Sequence, residues 1–127
     1  MTTGNVLPRF DLVAIDCPDP LALSNFYAEL LGWPPDPEPD PENQWIQLSN
    51  PNGGVDIAFQ RSPDYQPPTW PEGPRPQMLH LDFDVSDAES AQQHAVAVGA
   101  RLIEGPEKHP KFRVFLDPVG HPFCLCG

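Results

Sequence analysis

Chemistry in this chain concentrates on two short stretches. In residues 79–85, LHLDFDV, His80, Asp82 and Asp84 alternate with Leu79, Leu81, Phe83 and Val85. Period-2 alternation predicts a strand with an imidazole and two carboxylates on one face and the apolar set on the other. A histidine beside a carboxylate, here His80 and Asp82, can move a proton or anchor a polar ligand group. In PFCLC, Cys124 and Cys126 are two apart, so a strand there presents both thiols on one face. Such thiols either pack as small apolar groups or meet a cleft ligand as soft, reactive atoms. His94 falls on a helix and His109 in a loop, and both are read as uninvolved. His121 follows a turn glycine and is assigned no chemistry.

The elements that must position these residues follow from punctuation and periodicity. FDLVAIDC at residues 10–17 is a β-branched, apolar strand. Asp19-Pro20 starts a helix, with Asp as cap and Pro at the first helical position. Leu23, Phe26, Tyr27, Leu30 and Leu31 keep helical spacing up to Gly32, a C-terminal glycine. Five prolines between Pro34 and Pro41 make the next stretch an extended, acidic loop. Residues 45–48 and 55–60 pair as a hairpin around NPNGG. Six prolines between Pro63 and Pro76 then form a connection too long for an ordinary loop, the mark of a lid or of a link between half-domains. After the alternating strand, Ser86-x-x-Glu89 has capping-box spacing ahead of a helix striped by Ala88, Ala91, Ala95 and Val98 and closed by Gly99. Residues 101–103 read as a strand, and residues 112–126 as strand, DPVG turn and strand.

The two halves repeat. DCPD opening a helix that ends at Gly32 parallels DVSD opening one that ends at Gly99, and NPNG parallels DPVG, each between strands. Each half reads as strand, helix and three short strands. Such a unit cannot bury its sheet alone, so the pair leaves a cleft on the sheet faces that the helices do not cover. The predicted class is α+β, two βαβββ modules in one domain over residues 1–127: module one at about 7–61, the connection at 62–77 and module two at about 78–127.

HLDFDVSD before a helix, FLDPVGHPFCL after it, and CPDPLALSNFYAELLGW in the first half resemble the vicinal oxygen chelate superfamily, which includes glyoxalase I, bleomycin resistance proteins and extradiol dioxygenases. The likeness spans about residues 7–126. Metal-dependent members place ligands at four strand positions, two from each half. That resemblance puts His80 and Cys124 at the second-half positions. It puts Leu12 and either Ile57 or Ala58, depending on register, at the first-half ones. Two donors and two aliphatic residues fall short of the roughly three protein ligands a catalytic divalent ion needs. The expectation is therefore no stoichiometric metal and no cofactor. Other residues expected to line the cleft are Trp45, Gln47, Phe59, Gln60, Trp70 and Arg113, with Trp70 set apart because it belongs to the proline-rich connection.

Composition narrows the partners. The 127 residues carry a formal charge of −11, with seven scattered basic residues, which excludes a nucleic-acid or anionic-membrane surface. No apolar run approaches the roughly 20 residues that cross a bilayer. The N-terminus lacks signal-peptide regions, and three cysteines make no disulfide framework, so a reducing cytoplasm is expected. The expected partner is a small molecule, cationic or aromatic, with the protein a homodimer as its relatives usually are. Two functional readings stay open: a lyase- or isomerase-type reaction without a standard metal site, and non-catalytic drug sequestration of the bleomycin-resistance kind.

Overall fold

A computed structural model describes residues 6–127. Strand β1 (Leu12–Cys17) leads into helix α1 (Pro20–Leu31), then β2 (Trp45–Leu48) and β3 (Asp56–Arg61). After the connection come β4 (Leu81–Asp84), α2 (Ala88–Val98), β5 (Arg101–Glu104), β6 (Phe112–Leu116) and β7 (Pro122–Cys126). The first sheet has the order β1-β3-β2 and the second β4-β7-β6-β5. In each, the strand preceding the helix pairs in parallel with the last strand of its module, and the remaining pairs are antiparallel. This is the expected α+β pair of modules. Module two is a full βαβββ unit. Module one has two strands after its helix, because proline-rich residues 34–41 lack the N–H groups a further ladder needs.

The helix ends follow local chemistry. Asp19 caps α1 by accepting from Ala22 N at 3.2 Å, and Gly32 closes it in the left-handed region at φ 69°. The acidic loop folds back onto that start: Asn43 Nδ2 donates to Asp19 Oδ1 at 2.7 Å, while Asn43 Oδ1 accepts from Leu21 N. The capping-box expectation is corrected by one residue. Asp87, not Ser86, caps α2, accepting from Glu89 N and Ser90 N, since a carboxylate one position later offers two acceptors to the same orphan donors.

One core joins the modules. Tyr27, Phe59, Phe115 and Phe123 are fully buried, with Tyr27 stacked on Phe59 at 5.6 Å and Phe115 on Phe123 at 5.4 Å. Each such side chain contributes about 1.5–3 kcal/mol by leaving water. Tyr27 of α1 also crosses to module two, where its hydroxyl donates to buried Asp117 Oδ2 at 2.7 Å. Asp117 Oδ1 accepts from Val119 N and His121 N, which shapes the DPVG turn. His121 Nε2 in turn reaches Asp16 O at 2.7 Å. His94 has a structural task as well: its Nε2 lies 3.0 and 3.1 Å from the Glu29 and Leu30 carbonyls, supplying the donor that the last turn of α1 lacks.

Candidate functional site

Strand alternation decides which residues face the core and which face away. On β4 and β7, Leu81 and Phe83 pack on the core beside Phe123 and Leu125. The intervening residues face the opposite side, with Asp82 paired to Cys124 and Asp84 to Cys126. His80 lies just before β4 on that same side. Together with Trp70, Glu104, His109 and Phe112, the residues His80, Asp82, Cys124 and Cys126 line a cavity of about 350 Å³. His80 also borders a second, larger cavity of about 830 Å³ between β1, the proline-rich connection and the hairpin turn. It therefore stands at the wall of both.

Asp82 is the hub. His80 Nε2 lies 3.1 Å from Asp82 Oδ1, and Asp82 is the direct cross-strand partner of Cys124. Burial first, and then Asp82, push the Cys124 thiol up to about 12. Across the ring, His80 Nδ1 is 3.1 Å from Gln77 Oε1. A carboxamide presents both an oxygen acceptor and an N–H donor, so Gln77 can meet either tautomer of the ring while Nε2 faces the Asp82 carboxylate.

The far wall is held by Glu104. Its Oε1 is 2.6 Å from His109 Nε2, and its Oε2 accepts from Trp70 Nε1 at 3.1 Å and from Lys108 Nζ at 3.4 Å. His109 and Trp70, in that order, hold the Glu104 carboxyl below its ordinary range. Trp70 takes a left-handed φ of 34°, a conformation costing a non-glycine residue about 1–2 kcal/mol. It is held there by Glu104 and by the closed turn in which Thr69 N donates to Arg75 O. Its ring meets the His80 ring edge-on, centroids 6.4 Å apart. His109 stacks on Phe112 at 4.1 Å.

Of the residues expected from sequence, His80, Asp82, Trp70 and Cys124 come together here. Leu12, Trp45, Gln47 and Gln60 share the outer face of the first sheet and line neither cavity. Phe59 is a correction: it is 0% exposed in the core, because its neighbours across β1 and β2 are Ile15 and Ile46 on the helix side. Arg113 is another. It shares the helix-facing side of β6 with Phe115 and binds Gln92 and Glu89 of α2. Sequence reasoning missed Glu104, Phe112 and His109. A register shift between Leu102 and Glu104 puts Leu102 opposite Phe115 and Glu104 opposite Val114, on opposite faces although two residues apart. No alternation count reveals that. For His109, the proximity of a carboxylate five residues earlier was the available signal.

The four-position metal site implied by the resemblance does not fit. Register resolves the open position: Ala58 pairs with Ala14 as Cys124 pairs with Asp82. Module one thus offers Leu12, Ala14 and Ala58, none with a donor atom.

Residues 12–126 match the family model described as a glyoxalase-like domain. No curated protein matches the chain. Among solved structures, a glyoxalase/bleomycin resistance protein/dioxygenase family enzyme from Burkholderia phytofirmans PsJN is similar with TM-score 0.70 at 22% identity, covering 93% of this chain and 97% of that one. A glyoxalase family protein from Enterococcus faecalis gives 0.62 at 23% identity over 96% and 98%. A glyoxalase-related enzyme from Fulvimarina pelagi gives 0.64 at 19% over 94% and 88%. These likenesses extend over both modules, and with the family match over residues 12–126 they place the chain in the glyoxalase-like domain family of the vicinal oxygen chelate superfamily.

Proposed function

We propose that the protein binds a small aromatic organic cation on the outer face of the module-two sheet, with Asp82 as counter-charge and Trp70 as wall. The observation that carries this reading is the make-up of the smaller cavity. It offers two carboxylates, two imidazoles, two thiols and the rings of Trp70 and Phe112, and no lysine or arginine lines it. Glu104 is engaged by Trp70, His109 and Lys108, which leaves Asp82, beside His80, to meet a ligand charge. A cation against an indole face gains about 0.5–2 kcal/mol beyond its ion pairing. The chain's charge of −11 adds long-range attraction for such ligands. Sequestration is thus the leading reading. Lyase- or isomerase-type turnover is the second, supported by the His80–Asp82 contact, which could pass a proton to or from a bound molecule.

Further parts of the proposal are a reducing cytoplasmic setting, which suits three free cysteines, and a homodimer, which would cover exposed Met78 and Leu79. Among the described residues no helix is long and apolar enough to cross a membrane.

Titration calorimetry with a panel of aromatic ammonium compounds tests the binding reading. His80→Ala and Trp70→Ala are each expected to weaken any hit at least tenfold, since an aromatic anchor is worth about 2 kcal/mol. Trp45→Ala, on the other sheet, should leave affinity unchanged. Unaltered binding in both His80→Ala and Trp70→Ala would place the site elsewhere.

A further inference from the structure

Two open sheet edges border the larger cavity. β1 ends the first sheet and β4 ends the second, and the two strands are not paired with each other. Residues of both, Val13 to Asp16 and Leu81, line the same space of about 830 Å³. We infer that this cavity is a second binding site, for a short, extended, apolar peptide with free termini that lies between β1 and β4 as an added strand.

The ladders show which backbone groups point into the gap. Asp56 N donates to Asp11 O and Ser62 N to Cys17 O, so Asp11, Val13, Ile15 and Cys17 turn their backbone groups to β3. Leu12, Ala14 and Asp16 therefore turn theirs away from it. Val85 N donates to Cys126 O, and by the same alternation His80 and Asp82 turn theirs away from β7. Among the described residues Asp16 O has a partner, His121 Nε2 at 2.7 Å, while the N–H and C=O groups of Ala14 and His80 have none. Ala14 and His80 both line the cavity. Open edge groups of this kind are a template for a further strand, and here two edges offer them to one occupant.

The side chains add the ends and the floor. Arg75, Asp16 and Asp64 line the cavity. Arg75 Nε donates to Pro67 O at 3.1 Å, but the two terminal nitrogens of its guanidinium are unpaired among the described residues, as are both carboxylates. One free cation and two free anions match a carboxylate at one end and an ammonium at the other. Val13, Ile15, Leu81 and the Tyr27 ring give the space between them an apolar floor. The inference does not rest on the proposed function, since it uses the other cavity and only the backbone of His80.

Titration calorimetry of the full chain with trialanine, trivaline and trileucine is the test. Saturable one-to-one binding of at least one of them is expected. Blocking both termini, as the N-acetyl carboxamide, should weaken it about tenfold or more, and N-methylation of the central amide should do the same. Arg75→Gln should cost the free peptide about tenfold, whereas Arg75→Lys, which keeps the charge, should retain most of the affinity. Circular dichroism confirms that each variant is folded. Amide hydrogen exchange at Ala14 and His80 should slow when the site is saturated, which contact with the side chains alone would not cause. The inference is overturned if none of the three peptides binds at millimolar concentration, or if the blocked peptide or Arg75→Gln binds as well as the original. Unaltered exchange at both Ala14 and His80 at saturation overturns it as well.

Discussion

The Cys124 thiol stays protonated near neutral pH, its ionisation pushed up to about 12 by burial and by the neighbouring Asp82 carboxylate. A thiol in this state is a slow nucleophile near neutral pH. Replacing the carboxylate by a neutral amide removes the largest cause after burial, so Asp82→Asn should speed alkylation of Cys124 by iodoacetamide severalfold. Peptide mass spectrometry that distinguishes Cys124 from Cys126 provides the readout, and an unchanged rate would mean that Asp82 does not restrain the thiol. At this scale much of the site was legible. Alternation in LHLDFDV and PFCLC placed His80, Asp82 and Cys124 on one face because both strands are regular. Glu104 escaped because the irregularity in β5 breaks the two-residue period just before it. Arg113 was put on the wrong face because apolar residues occupy both sides of FRVFL, so the pattern cannot say which side meets the helix.

The proline-rich connection is an element in its own right, although it contains no helix or strand. Tyr65 Oη donates to Val119 O at 2.8 Å, which ties it to the DPVG turn, and Trp70 ties it to β5. Where it crosses the turn, a Cβ built on Gly120 would stand 2.7 Å from Pro67 Cβ, and Gly120 has φ 96°. An added methyl group therefore meets both a backbone penalty and a clash with a stiff neighbour. Gly120→Ala should cost about 2 kcal/mol or more, read as a lower urea midpoint at unchanged m-value; a loss under about 0.5 kcal/mol would show that the connection simply moves away. The ends of α1 could be read directly, as Asp19, Pro20 and Gly32 act locally. The path of the connection could not, because Tyr65, Trp70 and Pro67 find partners roughly 35 to 55 residues away, beyond any local pattern.

Across the whole molecule, the internal repeat made the pairing of modules legible but not the bond that fastens them. Asp117 looks in sequence like an ordinary turn residue. In the fold it is buried, and its carboxyl is raised above the usual range by burial, an effect opposed by the hydrogen bond from Tyr27. Tyr27→Phe keeps the ring packed against Phe59 and removes only the donor. It should destabilise the protein by about 1–3 kcal/mol, the cost of leaving a buried acceptor short of a partner. Chemical denaturation checks this, and a change below about 0.5 kcal/mol would mean that water replaces the hydroxyl.

The place of β7 has a bearing on timing. It follows β4, β5 and β6 in the chain, yet fills the slot between β4 and β6. Until it inserts, β4 has no neighbour in its sheet, and such distant, parallel pairing closes late. His80 and Asp82 ride on or beside β4, while Cys124 arrives with β7. The three side chains thus meet only when the sheet is finished. During synthesis or refolding, a half-wound molecule has no such site to offer, so the assembled trio marks a chain whose winding is complete.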